Sequence, residues 1–352
     1  MLHKGRVKLN LLIYRFVVVF VLLFCVGIGV GSAQIAYDTV FEKTMDAPVR
    51  FLLPILLSGM IIVFIMLLFR WFECFSETQL KIVTVFLFVT MSAIFAVLLC
   101  NLHPVPTTDP LHLTNKALEI IDTGKVPIAW TQYFARYKNN YLLTIFFVYF
   151  FRFFLTLGIE DIWTPLYFFS ACGIMVSTVF VWLIALKTGG LRTAVKVLAL
   201  CVMNPVYYLL AFWTYSTSFG MPLIMGILYF GICIWQSQSI GKVAVYSIAE
   251  ALFAVLGYFI RPTSDIPLIA LVMCALMFLK KKFNTKKLIL CMTTFCLVGV
   301  LLFRGITDLN HFYFSSVEDG NFPIGHWLMT ASHGTGRCNS EDDSYTDSFE
   351  TK

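Results

Sequence analysis

Tyr141-Leu142-Leu143-Thr144-Ile145-Phe146-Phe147-Val148-Tyr149-Phe150-Phe151-Arg152-Phe153-Phe154-Leu155-Thr156-Leu157-Gly158 is apolar, with a single arginine near its middle. At ~18 residues it is about long enough to be counted as a membrane span. Arg152 argues against that, because an arginine at the bilayer centre costs ~2.5–3.5 kcal/mol on insertion scales. Parity argues more strongly. Counting the stretch as a span flips every later loop and throws the basic cluster Lys280, Lys281, Lys282, Lys286 and Lys287 to the outer side. The segment is therefore expected to lie in or dip into the outer interface, with Phe146, Phe147, Tyr149, Phe150 and Phe151 at the lipid boundary.

The composition fits that frame. The chain is 59% hydrophobic, 16% aromatic and only 13% charged, about half the charge of an ordinary soluble domain. Apolar runs predict spans near Leu12–Gly31, Phe51–Phe69, Ile82–Asn101, Pro165–Leu186, Ala194–Trp213, Phe219–Trp235, Val243–Ile260, Ile266–Leu279 and Leu288–Phe303. The expected fold class is an all-α polytopic membrane protein with about nine transmembrane helices. Lys4, Arg6 and Lys8 precede the first span and set the N-terminus inside, in the cytoplasm. Alternation then puts Lys187, Arg192 and Lys196 inside as well, and the C-terminus outside. Of the 20 Asp and Glu, only Glu73, Glu77 and Glu250 fall inside or within a span. The net charge of +6 thus reflects topology, and no nucleic-acid partner is expected.

The chain reads as a transmembrane domain, 1–303, carrying an outer loop, 102–163, and followed by an extracytoplasmic tail, 304–352. Within the loop, Asp109-Pro110 predicts a helix start with the carboxylate as N-cap. Leu111, Ala117, Leu118 and Ile121 recur at helical spacing, Lys116, Glu119 and Asp122 fall between them, and Gly124 marks the end. The ten cysteines are nearly all in spans and form no disulfide framework. No metal motif appears. The first span ends in Gly31-Ser32-Ala33, like a signal cleavage site, but its apolar stretch is long for a signal and suits an uncleaved anchor.

The order of these features resembles the polyprenyl-phosphate-sugar-dependent glycosyltransferases of the GT-C class, the protein O-mannosyltransferase-like group and its bacterial relatives. The matching residues are Asp109 just beyond a span, a helix ending near Gly124, Tyr133-Phe134-Ala135-Arg136-Tyr137-Lys138-Asn139-Asn140, the apolar juxtamembrane helix, and a span leading to a basic inner loop. The tail from Gly325-His326-Trp327 onward is similar to the outer segment of Gram-positive members. The resemblance implies an inverting enzyme that moves a sugar from a polyprenyl phosphate to an envelope glycan, lipid or protein at the outer face. Asp109 would be the catalytic base; Arg136, Lys138, Arg152 and Arg261 would be candidates for the donor phosphate. Tyr137, Asn139, Asn140, His326 and Trp327 would contact the acceptor or the sugar. No cofactor is implied, and a monophosphate donor does not demand a metal. Two departures stand out: the next outer loop, Tyr215-Ser216-Thr217-Ser218, lacks the family's second acid, and the chain looks shortened at its C-terminus.

Each role has a plainer counterpart. Asp109 also serves as a simple cap, the basic residues as interfacial snorkels, and Trp327 as an interfacial anchor. Glu250, within a span, suits either a structural hydrogen bond or the proton coupling of a transporter. The competing functions are a flippase for lipid-linked saccharides, which would line its bundle with polar groups at mid-depth, and a non-catalytic shortened family member.

Overall fold

Lipid offers no partners for backbone N–H and C=O groups, so a chain this apolar has to close its hydrogen bonds within helices. The computed structural model describes residues 47–282 and 285–317, with the side chains of 59–275 and 287–317. These residues are helical almost throughout, with no strand among them. The helices are α1 (Ala47–Glu73), α2 (Glu77–Asn101), α3 (Thr108–Thr123), α4 (Thr131–Arg136), α5 (Tyr141–Thr156), α6 (Trp163–Met203), α7 (Pro205–Leu210), α8 (Ser216–Gln236), α9 (Ile240–Ile260), α10 (Asp265–Lys282) and α11 (Thr285–Phe314). The chain divides into two units, Met1–Phe75 and Ser76–Lys352. Of these elements α1 alone belongs to the first unit.

Among the described residues, five helices are long and apolar enough to cross a membrane: α2, α6, α8, α9 and the Lys287–Phe314 part of α11. The expected nine spans are thus confirmed only in part. The span expected at Leu12–Gly31 lies outside the described residues, and the apolar part of α10, Pro262–Ala275, is short. The 41 residues of α6 conceal a turn. Gly190 takes φ 79°, ψ 178°, a left-handed conformation that glycine adopts without steric cost. Ser170 Oγ donates to the Leu210 carbonyl at 3.4 Å, although along one straight helix those residues would be ~60 Å apart. The limbs 163–189 and 191–203 are therefore folded back on each other.

The span expected over Ala194–Trp213 is itself broken. Pro205 lacks an N–H and disfavours helix at the residue before it. Asn204 accordingly leaves the helix at ψ 106° and caps α7, its side chain accepting from Val206 N at 3.1 Å. At and beyond the far end of α7, the carbonyls of Leu210 and Trp213 both accept from Ser218 Oγ.

Packing between helices uses small residues where backbones come close. A Cβ at Gly226 of α8 would sit 2.2 Å from the Phe253 ring of α9, so only glycine permits this approach. At one end of the bundle, Gln236 Nε2 donates to the Lys187 carbonyl at 3.3 Å and Lys287 Nζ to the Ser237 carbonyl at 2.9 Å.

The other end is covered by the 102–163 segment. Helix α5 lies across it rather than alongside the spans. Tyr141 stacks on Phe314, the last residue of α11, at 3.9 Å and 5°. Phe146 meets Phe169 of α6 at 5.1 Å and Phe219 of α8 at 5.8 Å. Phe150, a full turn further on, still meets Phe169 at 5.5 Å. Tyr313 donates to the Tyr149 hydroxyl at 2.9 Å. All these partners lie within about two turns of a helix end, whereas a crossing helix would reach steadily deeper residues.

Single-cysteine labelling in a Cys-free variant checks this arrangement. Asp122→Cys and Glu160→Cys flank α5 and should react from the same side of the membrane as Ser316→Cys, with Thr188→Cys reacting only from the opposite side. Labelling of the 122 and 160 positions from opposite faces would mean that α5 crosses.

Candidate functional site

Helix α3 carries the candidate base, though not as an N-cap. Thr107 occupies the cap position, extended at φ −126° and ψ 165°, with no side-chain cap bond. Asp109 lies in the first turn, with Pro110 buried behind it. The expected start shifts because Thr108 takes φ 54°. For a β-branched residue that left-handed angle is a true outlier, costing of order 1–3 kcal/mol, and such strain concentrates at functional sites. The Asp109 side chain is left exposed. Gly124 ends the helix as expected, left-handed at φ 77°.

A second correction concerns Lys116. Helical spacing assigns it to the polar face, yet it is 1% exposed. The segment after α3 folds back over it. Its ammonium sits 4.2 Å from the centroid of the Trp130 ring and 3.8 Å from that of Tyr133. Trp130 is fixed in turn by an Nε1–H bond to Glu119. A desolvated cation over aromatic faces gains ~2 kcal/mol or more, but no carboxylate bridges it among the described residues. Burial therefore pulls the amine down to about 8, against the opposing fields of Glu119 and Asp109. It remains mostly charged at neutral pH.

Tyr133 links this cation to the rest of the site. Asn140, fully buried, donates its Nδ2 to the Tyr133 hydroxyl at 2.8 Å. Burial pushes both the Tyr133 and Tyr215 hydroxyls up, Tyr215 to about 12, and each feels the charge of Asp109. Both therefore stay protonated. Asn140 also hydrogen-bonds Tyr215, whose hydroxyl is further influenced by Arg261. Arg261, which closes α9, donates Nη1 to Thr217 Oγ1 and Nε to Thr263 Oγ1 at 3.1 Å.

Asp109, Lys116, Tyr133, Asn140, Tyr215 and Arg261 thus converge from three separated stretches of sequence. The loop that lacks a second acid supplies Tyr215 instead.

The other candidates are placed less centrally. Arg136 ends α4, and the Tyr137 ring packs tilted against Tyr133, 4.9 Å between centroids. Arg136, Tyr137 and Lys138 are all half-buried and engaged in contacts. Asn139 Nδ2 donates to Asn140 Oδ1 at 3.2 Å. Arg152 lies about 18 Å further along α5 from Asn140, where its charge acts on Tyr313. His326 and Trp327 lie outside the described residues. Glu250 is buried halfway along α9, with no hydrogen-bond or ion-pair partner among the described residues. Its Oε1 lies 3.1 Å from where a Cβ on Gly231 would stand.

Sequence reasoning missed Lys116, Trp130, Tyr133 and Tyr215. A lysine about two turns after the loop acid, followed by a Trp and a Tyr spaced three apart, was the available signal for the first three. Nothing local marked Tyr215.

No group of three or more potential metal ligands occurs among the described residues. A family model described as conserved hypothetical integral membrane protein matches residues 5–346. No curated protein and no solved structure matches.

The Lys116 cage has a pH signature. Between about 8 and the ordinary 10.5, the unfolded chain holds a proton that the folded chain has released. Stability contributed by this residue should therefore rise with pH across that window. The apparent unfolding midpoint of the wild type minus that of Lys116→Met, measured in detergent, should increase from pH 7.5 to 10.5. A pH-independent difference would mean that the amine is not desolvated.

Proposed function

The chain belongs to that family of integral membrane proteins, and from this premise we propose that it is an inverting glycosyltransferase of the GT-C kind, working in the cell membrane. It would move a sugar from a polyprenyl-phosphate donor to a cell-envelope acceptor at the outer face, with its N-terminus cytoplasmic. The observation that carries this reading is the exposed Asp109 carboxylate, set among the cations Lys116 and Arg261 and the hydroxyls of Tyr133 and Tyr215, at the covered end of an apolar bundle.

That combination suits the reaction. An acceptor hydroxyl attacks the anomeric carbon while Asp109 takes its proton. The bond from the anomeric carbon to the phosphate oxygen breaks, and the polyprenyl phosphate leaves with the electron pair. Negative charge grows on the leaving phosphate, where Arg261 offers a bidentate fork and Lys116 a charge already stripped of water. Arg136 and Lys138, which flank Tyr137 between Tyr133 and Asn140, are further candidates for that phosphate. The lipid tail would lie against the apolar helices at headgroup depth. A flippase has less to draw on, because Glu250 is the one acid buried mid-span among the described residues.

Transfer from a polyprenyl-phosphate sugar by the purified protein is the decisive measurement. Asp109→Asn removes the base and, with no cap bond at stake, should leave folding unchanged while lowering the transfer rate ~10²–10⁴-fold. Movement of labelled lipid-saccharide without bond formation would replace the enzyme by a transporter. Arg261→Ala should weaken photo-crosslinking of a polyprenyl-phosphate analogue by about tenfold or more, the loss of a charge-assisted bond of ~1.5–3 kcal/mol. Unchanged crosslinking would remove Arg261 from the donor site.

A further inference from the structure

Beside the Asp109 cluster, between the segment 103–106 and the start of α6, lies a cavity of about 310 Å³. Its walls include His103, Pro104, Pro106, Asp161, Trp163 and Tyr167. The cavity is held by specific bonds. The Tyr167 hydroxyl donates to the Pro104 carbonyl at 3.0 Å, which ties the extended 103–106 segment to α6. Asp161 Oδ1 accepts from the backbone amides of Trp163 at 3.0 Å and Thr164 at 3.3 Å, capping α6 and fixing the carboxylate at the rim. Hydrogen bonding from Thr164, supported by the charge of His103, holds Asp161 below the usual carboxylate range. The rings of Trp163 and Tyr167 lie 6.0 Å apart and only 28° from parallel. Tyr167 is buried behind and backed by Phe212 at 5.3 Å, whereas Trp163 is half-exposed.

We propose that this cavity is a subsite for a neutral pyranose ring, and that it selects a carbohydrate acceptor. A pyranose has an apolar face of C–H groups that stacks on an indole, and an edge of hydroxyls that needs both donors and acceptors. Trp163 supplies the face. Asp161 Oδ2 accepts, His103 donates or accepts, and Thr164 does either. Few polar groups on an aromatic floor is the usual make-up of a small-ligand site. The Asp161 carboxylate, fixed at the rim, disfavours uronic acids and phosphorylated sugars. The position fits an acceptor as well, since Pro106 and Asp109 are three residues apart, so their Cα atoms lie within about 11 Å. A ring seated here can turn a hydroxyl towards the candidate base. The role of the bound ring as acceptor rests on the transferase reading; the binding of a ring does not.

Saturation-transfer NMR on the detergent-solubilised full chain tests it, using methyl glucoside, methyl galactoside, methyl mannoside and N-acetylglucosamine, with glucuronate as the charged comparison. At least one neutral pyranoside should receive saturation. That signal should fall at least fivefold in Trp163→Leu and in Asp161→Asn, which keeps the cap acceptor. His103→Gln, a change that leaves the Asp161 bonds at the start of α6 untouched, should weaken it independently. Trp71→Leu, far off in sequence on α1, should leave it intact. No transfer to any neutral sugar, transfer surviving all three substitutions, or a preference for glucuronate would overturn the proposal. Failure of the transferase reading looks different: pyranoside binding sensitive to the three substitutions, with no crosslinking of the polyprenyl-phosphate analogue, keeps the subsite and removes the donor.

Discussion

The seating of α5 across the ends of α6, α8, α9 and α11 is the contact on which the rest of the loop end depends. A helix this apolar cannot stand free in water, and with Arg152 on it it does not suit the bilayer centre. It settles where aromatic rings meet aromatic rings: Phe146 and Phe147 against Phe219, Phe150 against Phe169, Tyr141 flat on Phe314. Each such pair adds ~0.5–1.5 kcal/mol beyond plain burial. With α5 in place, α3 packs on its other side, with Leu113, Ala117 and Ile120 buried in the same cluster as Leu143 and Phe147. The site's position follows from that seat, because Asn140 immediately precedes α5 and Asp109 begins α3.

Charge at the site is handled by aromatic side chains where a soluble enzyme would more often use carboxylates. Trp130 and Tyr133 cover the Lys116 ammonium, and Asn140 holds the Tyr133 hydroxyl. Such an arrangement leaves the cation without an ion-pair partner among the described residues, with only the fields of Glu119 and Asp109 acting on it. The strained Thr108 adds to the picture, since a left-handed threonine persists only when its surroundings over-determine it. Pinning of 103–106 by Tyr167, about one turn into α6, is one such constraint. The same bond joins the Asp109 cluster to the cavity beside Trp163.

Within the bundle, polar side chains serve the backbone. Asn204 caps the restart where the returning limb of α6 gives way to α7, and Ser218 bonds the Leu210 and Trp213 carbonyls where α7 ends. Irregular backbone at membrane depth is tolerated only where protein supplies the missing partners, and here serines and an asparagine do so.

Most helices were legible from hydropathy, because a run of ~18 apolar residues has no stable alternative in lipid. The helices at 77–101, 216–236 and 240–260, the amphipathic α3 and its Gly124 terminus were all legible in this way. Arg152 and the placement of the lysines also marked α5 as something other than an ordinary span. Tertiary structure decided what was brought together. Lys116 reads as a surface residue on α3 until Trp130 and Tyr133 fold over it, since helical periodicity sees only a residue's own helix. Tyr215 and Arg261 lie more than 100 residues from Asp109, and no local pattern announces that α8 and α9 end beside α3. The break at Asn204-Pro205 was written in the proline, but that Ser170 and Ser218 would meet at the Leu210 carbonyl, where α7 ends, depended on the hairpin at Gly190. Periodicity and hydropathy act along one helix; convergence of distant side chains is a property of how helix ends pack, which local sequence does not encode.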